Sequence, residues 1–252
     1  MSIHHEVRAG VAEVVFDNPP VNALDVAGWS ELARLVRTLG DDPEVRVVIL
    51  AAEGRGFNAG VDIKELADDP EHRALIAVNE ACFDAFAAVY ECAVPVIAAV
   101  HGYCLGGGIG LVGNADIVIA SEDATFGLPE VDRGALGAAT HLARLVPGHK
   151  MRSMVYTGAT ASADELFRYG SVLRVVAAGS LRQEARALAA EIAAKSPTII
   201  RAAKRCLNGI DPVDVHRSYR YEQGFTYLLT LAGVGAEARA AFAEKRPADT
   251  SE

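Results

Sequence analysis

Three consecutive glycines and one distant carboxylate are the residues of this chain best suited to chemistry. The glycines, Gly106, Gly107 and Gly108, follow an apolar run over 94–100, and the carboxylate, Glu130, follows a Leu-Pro pair at 128–129. Glycine lets a backbone approach a ligand closely, and N–H groups at a helix N-terminus favour an anion. We interpret the turn as a site for an anion or a developing oxyanion, with a tight strand-to-helix connection as the alternative.

A second glycine-bearing loop follows another apolar run. A strand predicted over 45–52 leads into 53–66, which contains Gly54, Gly56 and Gly60 and reaches Asp62, a residue type that often caps a helix N-terminus. Two such loops could supply two backbone donors to one oxygen. Glu130 could then act as a general base, although a Pro-Glu pair is also common in solvated turns.

Five motifs, in order along the chain, resemble those of the crotonase, or enoyl-CoA hydratase/isomerase, superfamily. They are NPPVNAL at 18–24, FNAGVDIKEL at 57–66, AVHGYCLGGGIGL at 99–111, FGLPEV at 126–131 and AFAEKRP at 241–247. Together they span nearly the whole chain. The resemblance implies an enzyme that acts on an acyl-CoA thioester, with coenzyme A as part of the substrate and no separate cofactor.

The resemblance also implies roles for particular residues. The thioester oxygen would lie between the backbone N–H groups of Val61 and Gly107, and Glu130 would be the general base. Contacts to the acyl-CoA are implied around the glycine loops and in the last helix. These residues are Ala59, Asp62, Ile63, Lys64, Gly106, Arg133, Phe242 and Lys245. Lys245 would approach the CoA phosphates, often from a neighbouring subunit.

Gly110 stands where ordinary hydratases of this family carry the first of two water-activating glutamates. General acid–base help is worth on the order of 10² to 10⁴ in rate, so its absence should weaken simple hydration. An oxyanion hole would be unaffected, because its donors are backbone groups. His141, Asp132 and His101 are nearby polar residues that could replace the carboxylate, although a histidine on an apolar helix is usually structural.

Longer stretches resemble one branch of the superfamily. These stretches are FNAGVDIKE at 57–65, GGGIGLVGNADIVIASEDATFGLPEV at 106–131 and RGALGAATHLARLVP at 133–147. They are similar to actinobacterial hydrolases of steroid (cholesterol) breakdown, which open a ring of a bicyclic dione carried as a CoA thioester. The resemblance implies hydrolysis of a C–C bond. An enoyl-CoA hydratase or isomerase is the first alternative, and a CoA-binding or assembly protein without activity is the second.

A dinucleotide-binding pattern is also present. Gly108, Gly110 and Gly113 satisfy Gly-x-Gly-x-x-Gly. That motif requires its first glycine at the strand end and a full helix after it. Here the predicted strand ends near Val100, and Gly113-Asn114 cuts the helix short. These differences disfavour a nicotinamide enzyme.

The order of predicted elements indicates an α/β core followed by helices. Helices are predicted over 26–39, 72–91, 181–195, 197–207, 213–232 and 236–245, with Pro197 and Pro212 in first turns and Gly209 at a helix end. The resemblance implies a crotonase (ClpP-like) spiral of ββα repeats over 1–195. The helices of 196–252 would form an oligomerisation region, giving a homotrimer or a dimer of trimers.

Composition excludes several other classes of protein. A net charge of −9 disfavours nucleic acid as a partner, and no apolar stretch approaches the ~20 residues of a membrane span. No secretory signal is evident and the four cysteines lack short paired spacings, so we expect a cytoplasmic protein without a metal. Because the net charge of the chain is negative, the positive charge that binds an anionic CoA must come from a few local side chains. The candidates are Arg55, Lys64, Lys245 and Arg246.

Overall fold

A six-stranded sheet and a three-stranded sheet organise the fold. The computed structural model describes residues 3–62, 72–233, 235–244 and 246. The strands are β1 (Ile3–Arg8), β2 (Val11–Phe16), β3 (Val47–Ala52), β4 (Val96–Val100), β5 (Tyr103–Leu105), β6 (Ile117–Ser121), β7 (Thr125–Gly127), β8 (Thr160–Ser162) and β9 (Arg174–Val176). The helices are α1 (Val26–Asp41), α2 (Arg73–Glu91), α3 (Gly107–Asn114), α4 (Ala139–Leu142), α5 (Gly148–Thr157), α6 (Ala163–Tyr169), α7 (Leu181–Ala193), α8 (Pro197–Gly209), α9 (Val215–Leu231) and α10 (Gly235–Glu244).

The large sheet has the order β1-β2-β3-β4-β6-β9, with β1 antiparallel to β2 and the other neighbours parallel. Side chains alternate between its faces. Val48 and Leu50 of β3 join the main core, whereas Val47, Ile49 and Ala51 pack in a second cluster with α7. Because both faces are covered, the strand sequences are continuous apolar runs.

The small sheet places the glycine turn beside the segment that carries Glu130. Its order is β5-β7-β8, and β5 runs parallel to β7 with Leu105 opposite Gly127. Parallel neighbours end at the same edge, so the chain leaves β5 and β7 side by side. The backbone N–H of Gly106 donates to the carbonyl oxygen of Gly127 at 3.1 Å. A short 3₁₀ turn, Pro129–Arg133, follows β7 and places Glu130 at this edge of the sheet.

The strand before the glycines differs from the expectation. The predicted strand ends near Val100, as β4 does, but the structure adds a bend and a second strand, β5, before the glycines. Gly102 makes the bend with φ +56, and a Cβ there would lie 2.1 Å from the carbonyl oxygen of Arg55. Only glycine can bring these two backbone segments so close.

The helices after β9 agree with the sequence in number and order. Pro197 is the first residue of α8 and Gly209 is its last. The assignment of Pro212 to a first turn is wrong, because α9 begins at Val215 and is capped by Asp214, which accepts from the Arg217 N–H at 2.9 Å. The helix expected to start near Asp62 falls at 63–71, outside the described residues. The division at 195/196 stays a prediction.

No helix in the described part of the chain combines the length and apolarity needed to cross a bilayer. Three of the four cysteines, Cys82, Cys92 and Cys104, are buried as free thiols, and Cys206 is exposed. All three pack in the core, and Cys82 also lines a cavity.

Candidate active site

The two glycine loops meet at Gly60 and Gly107. Gly60 has φ +90, and a Cβ there would lie 2.9 Å from the backbone nitrogen of Gly107. The Gly60 loop is held by Leu24, whose N–H donates to the Gly60 carbonyl at 3.0 Å and whose carbonyl accepts from the Asp62 N–H at 2.9 Å. Val61 lies between Gly60 and Asp62, and its N–H has no acceptor among the described residues. The N–H of Gly107, the first residue of α3, has no acceptor among them either. Two backbone donors are thus available at one place.

Two buried asparagines fix this geometry. Asn58 accepts from the Gly60 N–H at 2.8 Å, and its carbonyl accepts from the Leu105 N–H of β5 at 2.9 Å. Asn22 donates to the carbonyl oxygens of Glu53 and Gly56 at 2.8 and 2.9 Å. Sequence reasoning assigned no role to either asparagine, although both lie within the quoted motifs.

Glu130 lies directly over the glycine turn. A Cβ on Gly106 would be 2.8 Å from Oε1 of Glu130, so glycine is required for this approach. Oε2 of Glu130 is buried without a hydrogen-bond partner among the described residues. Burial raises the pKa of this carboxyl to about 8, and the charge of Glu222 adds to the increase, while Arg133 opposes it. Such a perturbed carboxyl beside backbone donors is the pattern of a general base.

One cavity of about 150 Å³ brings these groups together. It is lined by both glycine loops, by the Glu130 segment and by faces of α2 and α9. The residues predicted for the site that line it are Ala59, Val61, Gly106, Gly107, Glu130 and Arg133. The arrangement can hold a carbonyl oxygen at the two N–H groups and can move a proton at Glu130.

Phe86 fills the space beside Gly110. A Cβ on Gly110 would lie 2.2 Å from Cζ of the Phe86 ring and 2.4 Å from Cε2. The ring is fixed by edge contacts with Trp29 and His141, at centroid distances of 5.6 and 5.0 Å. No second carboxylate can therefore enter from this position without moving a buried aromatic ring.

The enoyl-CoA hydratase/isomerase family model matches residues 6–252. The chain belongs to this family. A protein of Rhodococcus jostii named (7aS)-7a-methyl-1,5-dioxo-2,3,5,6,7,7a-hexahydro-1H-indene-carboxyl-CoA hydrolase is 59% identical, over 93% of this chain and 91% of its own. A protein of the same name from Mycobacterium tuberculosis is 58% identical over 94% and 96%. A solved enoyl-CoA hydratase/isomerase of Xanthobacter autotrophicus has a TM-score of 0.88 at 29% identity, covering 97% of this chain and 92% of its own.

The predicted crotonase fold is thereby confirmed, and the chain is an enzyme of that family. Some residues proposed for the crotonase site lie away from the cavity. His141 is buried, its Nδ1 accepts from Asn114 Nδ2 at 3.0 Å, and burial lowers its pKa to about 3. Asp132 is exposed, and the His101 ring nitrogen bonds the Gly54 carbonyl at 3.0 Å. None of the three lines the cavity around Glu130.

The cationic candidates are placed only in part. Arg55 is exposed. Arg246 forms ion pairs with Glu237 and Glu244, and its Nε lies 2.6 Å from Oε2 of Glu244. Asp62 follows the cavity-lining Val61 in sequence but does not itself line the cavity, and its N–H donates to the Leu24 carbonyl at 2.9 Å. Three of the predicted contacts, Ile63, Lys64 and Lys245, lie outside the described residues, as does the side chain of Phe242.

Glu222 is a partly buried carboxylate that sequence reasoning did not single out. It accepts from the N–H groups of Ala139 and Thr140 at 2.7 and 3.0 Å, which holds α9 against the start of α4. Burial raises its pKa. A larger cavity of about 980 Å³ is lined by Glu222 and shares Glu130 with the smaller one. The sequence pattern of this helix places Glu222 on a polar face. Nothing in the sequence therefore predicts its contact with α4.

Proposed function

We propose that this chain hydrolyses a C–C bond of a bicyclic dione CoA thioester and so opens a ring. The observation that carries the proposal is the pairing of two backbone donors with a single buried carboxylate, Glu130, in a cavity where Phe86 occupies the place of a second. The relatives at 58–59% identity are named as hydrolases of an indene-carboxyl-CoA with two oxo groups, which supports the same substrate class. The steroid context follows only from the resemblance of the sequence motifs.

The proposed reaction needs one base. Glu130 takes a proton from water, and the hydroxide adds to a ring ketone. The C–C bond beside that carbon breaks, which leaves a carboxylic acid. The electron pair passes through the conjugated system to the thioester oxygen, where the N–H groups of Val61 and Gly107 stabilise it. Glu130 then returns the proton to carbon, so the product is the substrate plus one water.

The remaining assignments extend this proposal. Ala59, Asp62, Ile63, Lys64, Phe242 and Lys245 would hold the CoA, and Arg133, which lines the cavity, would contact a substrate carbonyl. A homotrimer or dimer of trimers would cover the exposed apolar side chains of α9. These are Tyr221, Phe225, Leu228 and Leu231. We expect the enzyme in the cytoplasm, with no cofactor besides the CoA of its substrate; light scattering would measure the assembly.

Double-bond isomerisation is the second candidate function. A single carboxylate can carry a proton between two carbons without any activated water, and Glu130 satisfies that requirement. Hydration of a simple enoyl-CoA is less well supported, since Phe86 fills the space beside Gly110.

Turnover of purified protein separates these possibilities. We expect ring opening of the dione thioester, slow change of crotonyl-CoA, and loss of turnover by about 10² to 10⁴ in Glu130→Gln with CoA binding retained. Asp132→Asn is the matched control, because Asp132 is exposed and outside the cavity. Rapid hydration or isomerisation with an intact dione would overturn the hydrolase, and no turnover of any thioester would indicate a binding protein.

A further inference from the structure

Asn79 is the polar member of an otherwise apolar helix face in the active-site cavity. The residues of α2 that line the cavity are Leu75, Val78, Asn79, Cys82 and Phe86. Their spacing follows one side of a helix. The other four side chains are aliphatic, thiol or aromatic, so Asn79 places an amide among apolar groups in the wall of the cavity.

The amide nitrogen of Asn79 is buried and unsatisfied. Nδ2 has no hydrogen-bond partner within the described part of the chain. Most buried polar atoms in proteins are paired, so an exception calls for an explanation such as a bound ligand. Oε2 of Glu130 is the other buried, unpaired side-chain atom among the residues of this cavity. One is a neutral donor and the other is the proposed base.

The neighbours of Asn79 hold it in place but leave its amide available. The main-chain carbonyl of Asn79, and not its side-chain amide, accepts from Gln223 Nε2 of α9 at 2.7 Å. Gln223 is itself bound by Arg220, which pairs with Glu80 at 2.7 Å. Thr226, which also lines the cavity, donates its hydroxyl to the Leu136 carbonyl at 2.7 Å. Gln223 and Arg220 thus join α9 to α2, and Thr226 joins α9 to the loop before α4.

We propose that Asn79 determines substrate specificity by donating a hydrogen bond to a ketone oxygen of the acyl group, away from the thioester. This inference rests on the proposed function for the dione, and it deepens it. The thioester oxygen has its own donors at Val61 and Gly107, so the Asn79 amide serves a second oxygen. The preferred substrates are therefore acyl-CoA thioesters whose acyl group carries an additional carbonyl, and plain alkyl or alkenyl thioesters leave the amide unpaired.

Binding to a protein that does not turn over substrate tests this assignment. In a Glu130→Gln background, calorimetry compares the bicyclic dione thioester with a bicyclic thioester that lacks the ring ketones. We expect Asn79→Leu to weaken binding of the dione roughly tenfold and to leave the ketone-free thioester within about twofold. Asn79→Asp keeps the shape, removes the donor and should also weaken only the dione. Asp84→Asn, an exposed residue on α2 that lies outside the cavity and outside this network, is the control.

The outcomes are distinguishable from those for the proposed function. Equal effects on both thioesters, or none on the dione, would overturn the role of Asn79 even where wild-type protein opens the ring. If the variants weaken only the binding of the dione and the wild-type protein does not open the ring, the proposed role of Asn79 stands and the proposed hydrolase function is rejected. If Asn79→Leu does not fold, as judged by its thermal transition, Asn79→Asp carries the comparison.

Discussion

The ring of Phe86 occupies the space into which any side chain at Gly110 would project. The ideal Cβ of Gly110 lies 2.2 Å from Cζ of Phe86, which is far inside van der Waals contact. The ring is almost fully buried and meets Trp29 edge-on at 5.6 Å. The glycine and the phenylalanine therefore form a matched pair, and together they leave Glu130 as the carboxylate next to the glycine turns.

Gly110→Glu should not create a hydratase. The new side chain would have to displace Phe86, and overpacking of this kind costs about 1–3 kcal/mol or more. We expect a lower melting temperature and no gain in hydration of crotonyl-CoA. The double variant Gly110→Glu/Phe86→Ala provides the space and should hydrate crotonyl-CoA faster than the single variant. Equal, rapid hydration by the single variant would contradict this arrangement.

The activity should depend on deprotonation of Glu130. Burial raises the pKa of this carboxyl to about 8, so the base is mostly protonated at neutral pH. We expect kcat/KM for the dione thioester to rise about tenfold per pH unit below that pKa and to level off above it. A plateau that already begins near pH 6 would show that the base is another group, or that Glu130 is not buried in the free enzyme.

The same carboxyl should affect stability in the opposite sense. Its pKa is raised from 4.5 to about 8 in the folded state, so folding favours the protonated form. Between these two values stability falls as pH rises, and the loss is complete above the folded pKa. Glu130→Gln removes this loss and should be more stable than wild type near pH 8.5, by up to about 5 kcal/mol, with little difference near pH 4.5. Thermal melts at both pH values measure it, and an equal difference at the two would be inconsistent with a buried acid.

Gly107→Ala should impair catalysis more than folding. A Cβ there would lie 2.7 Å from Cζ2 of the buried Trp29 ring, so the turn and its N–H must shift. Removing one oxyanion donor costs about 10² to 10³ in kcat. Gly148→Ala, at the start of α5, meets no atom within 4 Å and is the matched control. Unchanged kcat in Gly107→Ala would remove this N–H from the mechanism.

The sequence predicts the parts of the site that depend on local pattern. Glycine clusters after apolar runs predicted the two loops, and the motif around Pro129 predicted Glu130. The strand β5 was missed because three residues are too few to show an alternating pattern. It matters, since β5 pairs with β7 and sets the glycine turn beside Glu130.

The contacts that define the chemistry are non-local and could not be predicted from spacing. Phe86 reads as an ordinary core residue of α2, and only the crossing of α2 over α3 places it against Gly110. Asn79 reads as a polar residue on a helix, and Glu222 as a solvent-facing one. His141, considered more typical of a structural residue from its sequence, packs against the rings of Phe86 and Tyr219.

The most direct test of the central claim is mass spectrometry of the products formed from the bicyclic dione thioester in H₂¹⁸O. If Glu130 activates water for attack on a ring ketone, the product keeps its CoA and carries one ¹⁸O in a new carboxylate, and Glu130→Gln forms it about 10² to 10⁴ times more slowly. Release of free CoA with ¹⁸O in the acid derived from the thioester, or an intact dione beside rapid hydration of crotonyl-CoA, would contradict C–C bond hydrolysis at this site.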